Sequence, residues 1–174
     1  MLEFKDIYSN SSALKSRSTV NNNLSTHDLD EWLINLLPPL SGKEILDLGC
    51  GNGKQIFKIE SLNNNKILGV DISPESVNSI KEKVQLLKNN KISACVASMD
   101  NVLDVVKETF DIILSTYAIY YSKNQLNLIN SLKSLLNKNG VILISGPGKF
   151  SNKEIIDLMN SLDGENKIDT VDDF

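Results

Sequence analysis

The sequence predicts an α/β domain, a three-layer α/β/α sandwich on a mostly parallel sheet. Short Val- and Ile-rich runs alternate with amphipathic stretches, the pattern of strands joined by crossover helices. One such run, Ile45 to Leu48, leads straight into three alternating glycines and then Lys54. The length, 174 residues, is enough for one substantial core and short for two.

Each element follows from local chemistry. Residues 1–27 are polar, rich in Ser and Asn and without periodicity, and are expected to be a flexible arm or a lid that orders over ligand; residues 28–174 form the domain. Asp28 to Leu37 reads as a helix stopped by Pro38-Pro39, with Trp32, Leu33, Leu36 and Leu37 on its buried side. Five strands are expected: Glu44 to Leu48, Lys66 to Asp71, Ile92 to Ala97, Phe110 to Ser115 and Gly140 to Ser145. Ser73-Pro74-Glu75 starts a helix with a serine cap, a proline in the first turn and an early acid, and Val77, Ile80, Val84 and Leu87 follow at helical spacing. A second helix, Lys123 to Asn137, would place Leu126, Ile129, Leu132, Leu135 and Leu136 on one face and end at Asn139-Gly140. A third is expected over 151–162.

Composition excludes several functions. No apolar run reaches the roughly 18 residues a membrane span needs, so no membrane partner is expected. Eighteen basic against 22 acidic residues, a net charge of −4, offer no general attraction for a phosphate backbone, so nucleic acid is not an expected partner. Cys50 and Cys95 are far apart and suggest neither a disulfide framework nor a metal site. Met1 to Ser12 lack a basic-plus-apolar leader, so the cytoplasm is the expected compartment.

The glycine loop Gly49-Cys50-Gly51-Asn52-Gly53 lets backbone approach a ligand and aims amides of the next helix at something polar. A mononucleotide P-loop needs four residues between its glycines, then Lys-Ser/Thr; here three intervene and Gln55 follows Lys54. A dinucleotide fingerprint needs glycine where Lys54 stands, although an acid about 20 residues on is present as Asp71.

A third class fits without repair. Asp47-Leu48-Gly49-Cys50-Gly51-Asn52-Gly53, with Asp71 ending the next strand, resembles the first motif of class I S-adenosylmethionine-dependent methyltransferases, which have a Rossmann-like fold. The resemblance runs from about Lys43 to Gly148 and implies S-adenosylmethionine as cofactor and S-adenosylhomocysteine as product. It implies that Gly49, Cys50, Gly51 and Gly53 pass under the methionine part, and that Asp47 holds its amino group or the loop's amides. Asp71 would accept both ribose hydroxyls, unless it serves only to cap the following helix, and Ile72 follows it at the adenosine side. Ser98-Met99-Asp100 match the segment that grips adenine, through the Met99 amide and an oxygen of Ser98 or Asp100; the family often has Asp where Ser98 stands. Ser115 opens the fourth-strand motif. Arms like residues 1–27 often fold over the cofactor in this family, which brings Tyr8 and Arg17 into consideration, Arg17 as a partner for the carboxylate.

On the acceptor side, Tyr117, Tyr120 and Tyr121 cluster after the fourth strand, where ligands bind in open parallel sheets. Electron-rich rings there can stabilise a sulfonium charge and shape a pocket, or they can be amphipathic core residues with wet hydroxyls. Tyr117 and Tyr120 are the candidate catalytic residues, with His27, the single histidine, as a candidate base that could equally be an exposed arm residue. Ser115-Thr116-Tyr117-Ala118 lacks the two prolines of the amino methyltransferases of DNA, which with the charge points to a small-molecule acceptor, a metabolite or sugar-like molecule, methylated at oxygen.

The family's closing antiparallel strands are not recognisable after Leu162. A longer parent protein is therefore expected, as is an exposed edge on the fifth strand, with a monomer or weak homodimer as the oligomeric state. Gly146-Pro147-Gly148 invites a loop near the acceptor, with Lys149 or Asn152 in possible reach. Two rivals remain: a non-catalytic cofactor-binding module, and a nicotinamide-dependent reductase, for which Tyr121 followed by Asn124 and Gln125 supplies no Tyr-x-x-x-Lys pair.

Overall fold

The computed structural model describes residues 28–62 and 65–148, and within them five parallel strands lie in the order β3-β2-β1-β4-β5. The elements run α1 (Leu29–Asn35), β1 (Glu44–Leu48), α2 (Lys54–Leu62), β2 (Lys66–Asp71), α3 (Pro74–Leu86), β3 (Ile92–Val96), α4 (Val102–Val105), β4 (Phe110–Thr116), α5 (Gln125–Leu132) and β5 (Leu136–Ser145). The expected α/β/α sandwich is the observed one. Strand order reverses beside β1, whose neighbours are β2 on one side and β4 on the other, so a crevice opens at the carboxyl ends of β1 and β4.

The pleat sorts each strand's side chains between two cores. Ile45, Ile67, Ile112 and Leu114 face α2 and α3, packing on Ile56, Ile59, Val77 and Ile80. Leu46, Leu48, Val70 and Ile113 face the other way, onto Val102, Val106, Leu128 and Leu132. Burial on both faces is why the strands read as continuous apolar runs. Each fully buried Ile or Leu contributes about 1.5–3 kcal/mol of transfer free energy.

The helix after Asp71 forms as its signals require: Ser73 Oγ accepts from the Ser76 amide at 3.3 Å, Pro74 opens the first turn, and Val77 and Ile80 are buried. Leu87, expected on that face, is its exposed C-cap residue.

Two expectations are corrected. α1 buries Asp30, Leu33 and Ile34, while Trp32 and Leu36 are more than half exposed. The face turns because Asp30 is drawn inward by polar partners on α2. The predicted helix Lys123 to Asn137 ends at Leu132, and Lys133–Leu135 form a 3-10 turn. Chain from Leu136 already pairs with Phe110, and the register then jumps to Ile112 opposite Val141. Asn139, at φ 66°, is therefore the left-handed residue of a bulge within β5. Leu126, expected inside, is 75% exposed.

The predicted helix over 151–162, the arm 1–27 and Lys149 and Asn152 lie outside the described residues.

Candidate functional site

The site is built where β1 and β2 end. The Gly49 and Cys50 amides both donate to the Val70 carbonyl, at 2.7 and 3.1 Å, which carries the β1 chain into the loop alongside β2. The glycines then do different things. A Cβ on Gly49 would lie 2.2 Å from the Ala118 Cβ, so Gly49 lets the β1 and β4 ends close on each other. A Cβ on Gly51 would meet nothing within 4 Å, and its φ is +52°: this glycine faces open space. A Cβ on Gly53 would crowd Ile80 and Phe57 at about 3 Å, which marks a packing position.

Two carboxylates flank the loop. Asp71 Oδ2 accepts from the Gly51 amide at 2.7 Å and Oδ1 from the Ser73 amide at 2.8 Å. Asp71 therefore joins the loop to the start of α3, and each oxygen keeps a second lone pair. Asp47, at 1% exposure, has no hydrogen-bond partner on either oxygen. Burial, with the Asp71 charge beside it, pushes its carboxyl up to about 7. A buried carboxyl without a donor is costly unless something completes it.

Cys50 was expected among the ligand contacts, and only its backbone lies in the loop. Its side chain is buried, its sulfur 2.8 Å from where a Cβ on Gly69 would stand, and burial pushes the thiol well up. It fills core space and is not a nucleophile.

On the far side of the crevice, Met99 reaches under the loop, its Cε 3.7 Å from the Gly49 Cβ position. Ser98 Oγ accepts from the Asp100 amide at 3.3 Å, and Asp100 Oδ1 accepts from Ser122 Oγ at 2.5 Å and the Lys123 amide at 3.3 Å. Asp100 thus ties the β3 end to the loop after β4 while remaining exposed. Below that tie lies a cleft of about 400 Å³, between Met99–Asp104 and Lys123–Ser131. Ile72 is about half exposed at the β2 end.

The tyrosine cluster expected on the acceptor side follows the end of β4. Ser115 is fully buried with no partner on Oγ. Tyr117 sits at φ 53°, its amide donating to Ser145 O at 2.8 Å and its side chain 47% exposed. A tyrosine held in the left-handed region is strained, and such strain gathers at functional sites. Tyr120 and Tyr121 stack at 4.4 Å between ring centres, tilted 58°, with Tyr120 against Gly146. His27, Arg17 and Tyr8 lie outside the described residues.

Sequence reasoning missed Asp30. It is 6% exposed and accepts from Gln55 Nε2 at 2.8 Å, and its other oxygen lies 2.5 Å from Lys54 Nζ. Its signal, an acid among Leu29, Leu33 and Ile34, looked like ordinary first-turn charge.

A parallel sheet whose switch-point crevice carries an open glycine cradle, a partnerless buried carboxyl and an acid at the next strand's end defines a cofactor-binding Rossmann-like domain. The sequence matches the methyltransferase domain family over residues 39–171, and the chain belongs to that family. It is 29% identical over 128 residues to a tRNA U34 carboxymethyltransferase of Campylobacter hominis, covering 70% of this chain and 44% of that protein. It is 33% identical over 111 residues to a ribosomal protein L11 methyltransferase of Lactobacillus gasseri, covering 64% and 32%. The fold matches the crystal structure of an S-adenosylmethionine-dependent methyltransferase from Mesorhizobium loti, with a TM-score of 0.62, 24% identity and 70% and 55% coverage. The chain thus spans less than half the length of these two curated relatives. Their names, with tRNA and a ribosomal protein in them, run against the expectation that nucleic acid is absent from the partners. Among the described residues no helix is long and apolar enough to cross a membrane.

S-adenosylmethionine is the cofactor of this fold class, and the residues present fit it. Asp47 has no donor on its carboxyl and an ammonium would supply one, Gly51 borders open space, and Asp71 keeps lone pairs that hydroxyls could fill.

Proposed function

We propose that this chain is the catalytic, cofactor-binding domain of an S-adenosylmethionine-dependent methyltransferase that methylates a small molecule, a metabolite or sugar-like acceptor, at oxygen. The observation that carries the reading is the partnerless Asp47 carboxyl beside the open Gly51. When bound, the cofactor would supply a methyl group on a sulfonium, open to in-line attack by an acceptor oxygen as the methyl–sulfur bond breaks and neutral S-adenosylhomocysteine leaves.

The protein's part is positioning and charge. Asp47 takes the ammonium of the methionine end, and Asp71 adds the ribose hydroxyls to the amides it already binds. The Met99 amide and Ser98 would read the adenine edge, with Ile72 as an apolar neighbour at the β2 end and Ser115 as a buried support at the β4 end. The Tyr117 ring lines the acceptor side and its electron-rich face favours the sulfonium, with Tyr120 behind it. Arg17 and Tyr8 would be further cofactor partners, Arg17 for the carboxylate, and His27 the base for the acceptor's proton.

The net charge of −4 supports a small acceptor over RNA. The relative's name favours the other class, so the test carries both. Purified chain is incubated with S-adenosylmethionine and a panel of hydroxylated metabolites, sugars and bulk tRNA, and S-adenosylhomocysteine is counted. Turnover with a small hydroxylated acceptor is expected. Turnover with tRNA alone overturns the acceptor, and binding without turnover on any acceptor points to a non-catalytic module.

A further inference from the structure

The charge on the glycine loop is set by a residue outside it. Lys54 follows Gly53 directly, where a nucleotide-binding loop would aim a lysine at phosphate. Here its ammonium turns back to Asp30 Oδ2 at 2.5 Å. Asp30 Oδ1 meanwhile holds Gln55 Nε2 at 2.8 Å, so both first residues of α2 are gripped by one carboxylate from α1. Asp30 is 6% exposed, while Lys54 keeps a side chain 43% exposed. Asp28, capping α1, pairs with Lys58 one turn further along α2, so the two helices are joined by successive ion pairs.

With Lys54 paired in this way, the other charged groups at the loop among the described residues are Asp47 and Asp71, both negative when ionised. A field of that sign favours a cation and disfavours a phosphate. We propose that Asp30 is a positioning residue that determines cofactor specificity: by pairing with Lys54 it keeps the glycine loop electronegative and so selects a ligand carrying a positive sulfonium. The inference rests on the cofactor reading above. The pair is buried at Asp30 and open at Lys54, so a change at Asp30 can alter folding as well as ligand choice, and the ratio of two ligands' affinities separates the two effects.

S-adenosylmethionine and S-adenosylhomocysteine differ by one methyl group and one positive charge, so the ratio of their affinities reads the field at the loop. Calorimetric titration of both ligands is run on the wild-type chain, Asp30→Asn, Lys54→Gln and the double variant. Asp30→Asn keeps the size and one acceptor but removes the negative charge that Lys54 pairs with on α1. It is expected to weaken S-adenosylmethionine about three- to tenfold more than S-adenosylhomocysteine. Lys54→Gln shifts the ratio the opposite way, and the double variant returns it toward wild type. Equal weakening of both ligands in Asp30→Asn would mean a merely structural latch, and an unchanged ratio in either single variant overturns the proposal. If Asp30→Asn shows no cooperative melt, Lys54→Gln alone decides. Wild-type protein that binds neither ligand overturns the cofactor reading itself, an outcome separate from a flat ratio.

Discussion

The Gly51 amide donates a 2.7 Å hydrogen bond to Asp71 Oδ2, so the glycine of the Gly49–Gly53 loop that faces open space is held by the acid at the end of the neighbouring strand. Loop shape and ligand contact therefore depend on the same carboxylate. Asp71→Asn puts an amide against an amide donor or loses an acceptor, and it removes a charge-assisted bond. It should weaken S-adenosylhomocysteine at least about tenfold and lower the melting temperature, read by calorimetry and a thermal melt. An unchanged affinity would leave Asp71 as a helix cap only.

The glycines separate structure from binding. Gly49→Ala drives a Cβ to 2.2 Å from Ala118 and should prevent stable folding, with partial rescue by Ala118→Gly. Gly51→Ala meets no atom and carries only the left-handed backbone cost, about 1–2 kcal/mol. It should fold with a modestly lower melting temperature and lose most ligand affinity. Melts and titrations of the two variants, side by side, check this.

Asp47 sets a pH dependence with a definite sign. Its carboxyl is raised from 3.8 to about 7, so between those values the folded chain holds a proton that the unfolded chain has released. Its contribution to stability is full below pH 3.8 and falls as pH rises through 7. Asp47→Asn should flatten the fall in urea-unfolding free energy between pH 5 and 7.5. Ligand behaves oppositely: an ammonium needs the ionised carboxylate, so S-adenosylhomocysteine affinity should rise from pH 5.5 to 7.5 in wild type and not in Asp47→Asn.

Tyr117 trades stability for function. Replacing a residue at φ 53° with glycine removes the side-chain strain, so Tyr117→Gly should raise the melting temperature or leave it level. The same change should cut acceptor turnover at least about tenfold with S-adenosylhomocysteine binding little altered. A loss of binding instead would place the ring against the cofactor rather than the acceptor.

The five strands and the α3 start were legible because their signals are local: apolar runs buried on both faces, and a serine cap followed by proline. Asn139-Gly140 misled because the same pair that ends a helix also turns a bulge. Only the pairing of Leu136 with Phe110, 26 residues apart, decides between them. Trp32 and Leu36 were placed inside because periodicity marks a stripe but not its exact bearing. Asp30, which contacts residues on another helix, set that bearing. For Cys50, position in a motif told where the backbone runs, not that the thiol packs against Gly69.

The open Gly51 and the partnerless Asp47 are proposed to form one cofactor site. Calorimetric titration of the purified chain with S-adenosylhomocysteine and, separately, with NADH tests it most directly. S-adenosylhomocysteine is expected to bind 1:1 at micromolar affinity and NADH not at all. Binding of NADH alone, or of neither by a chain that melts cooperatively, would contradict it.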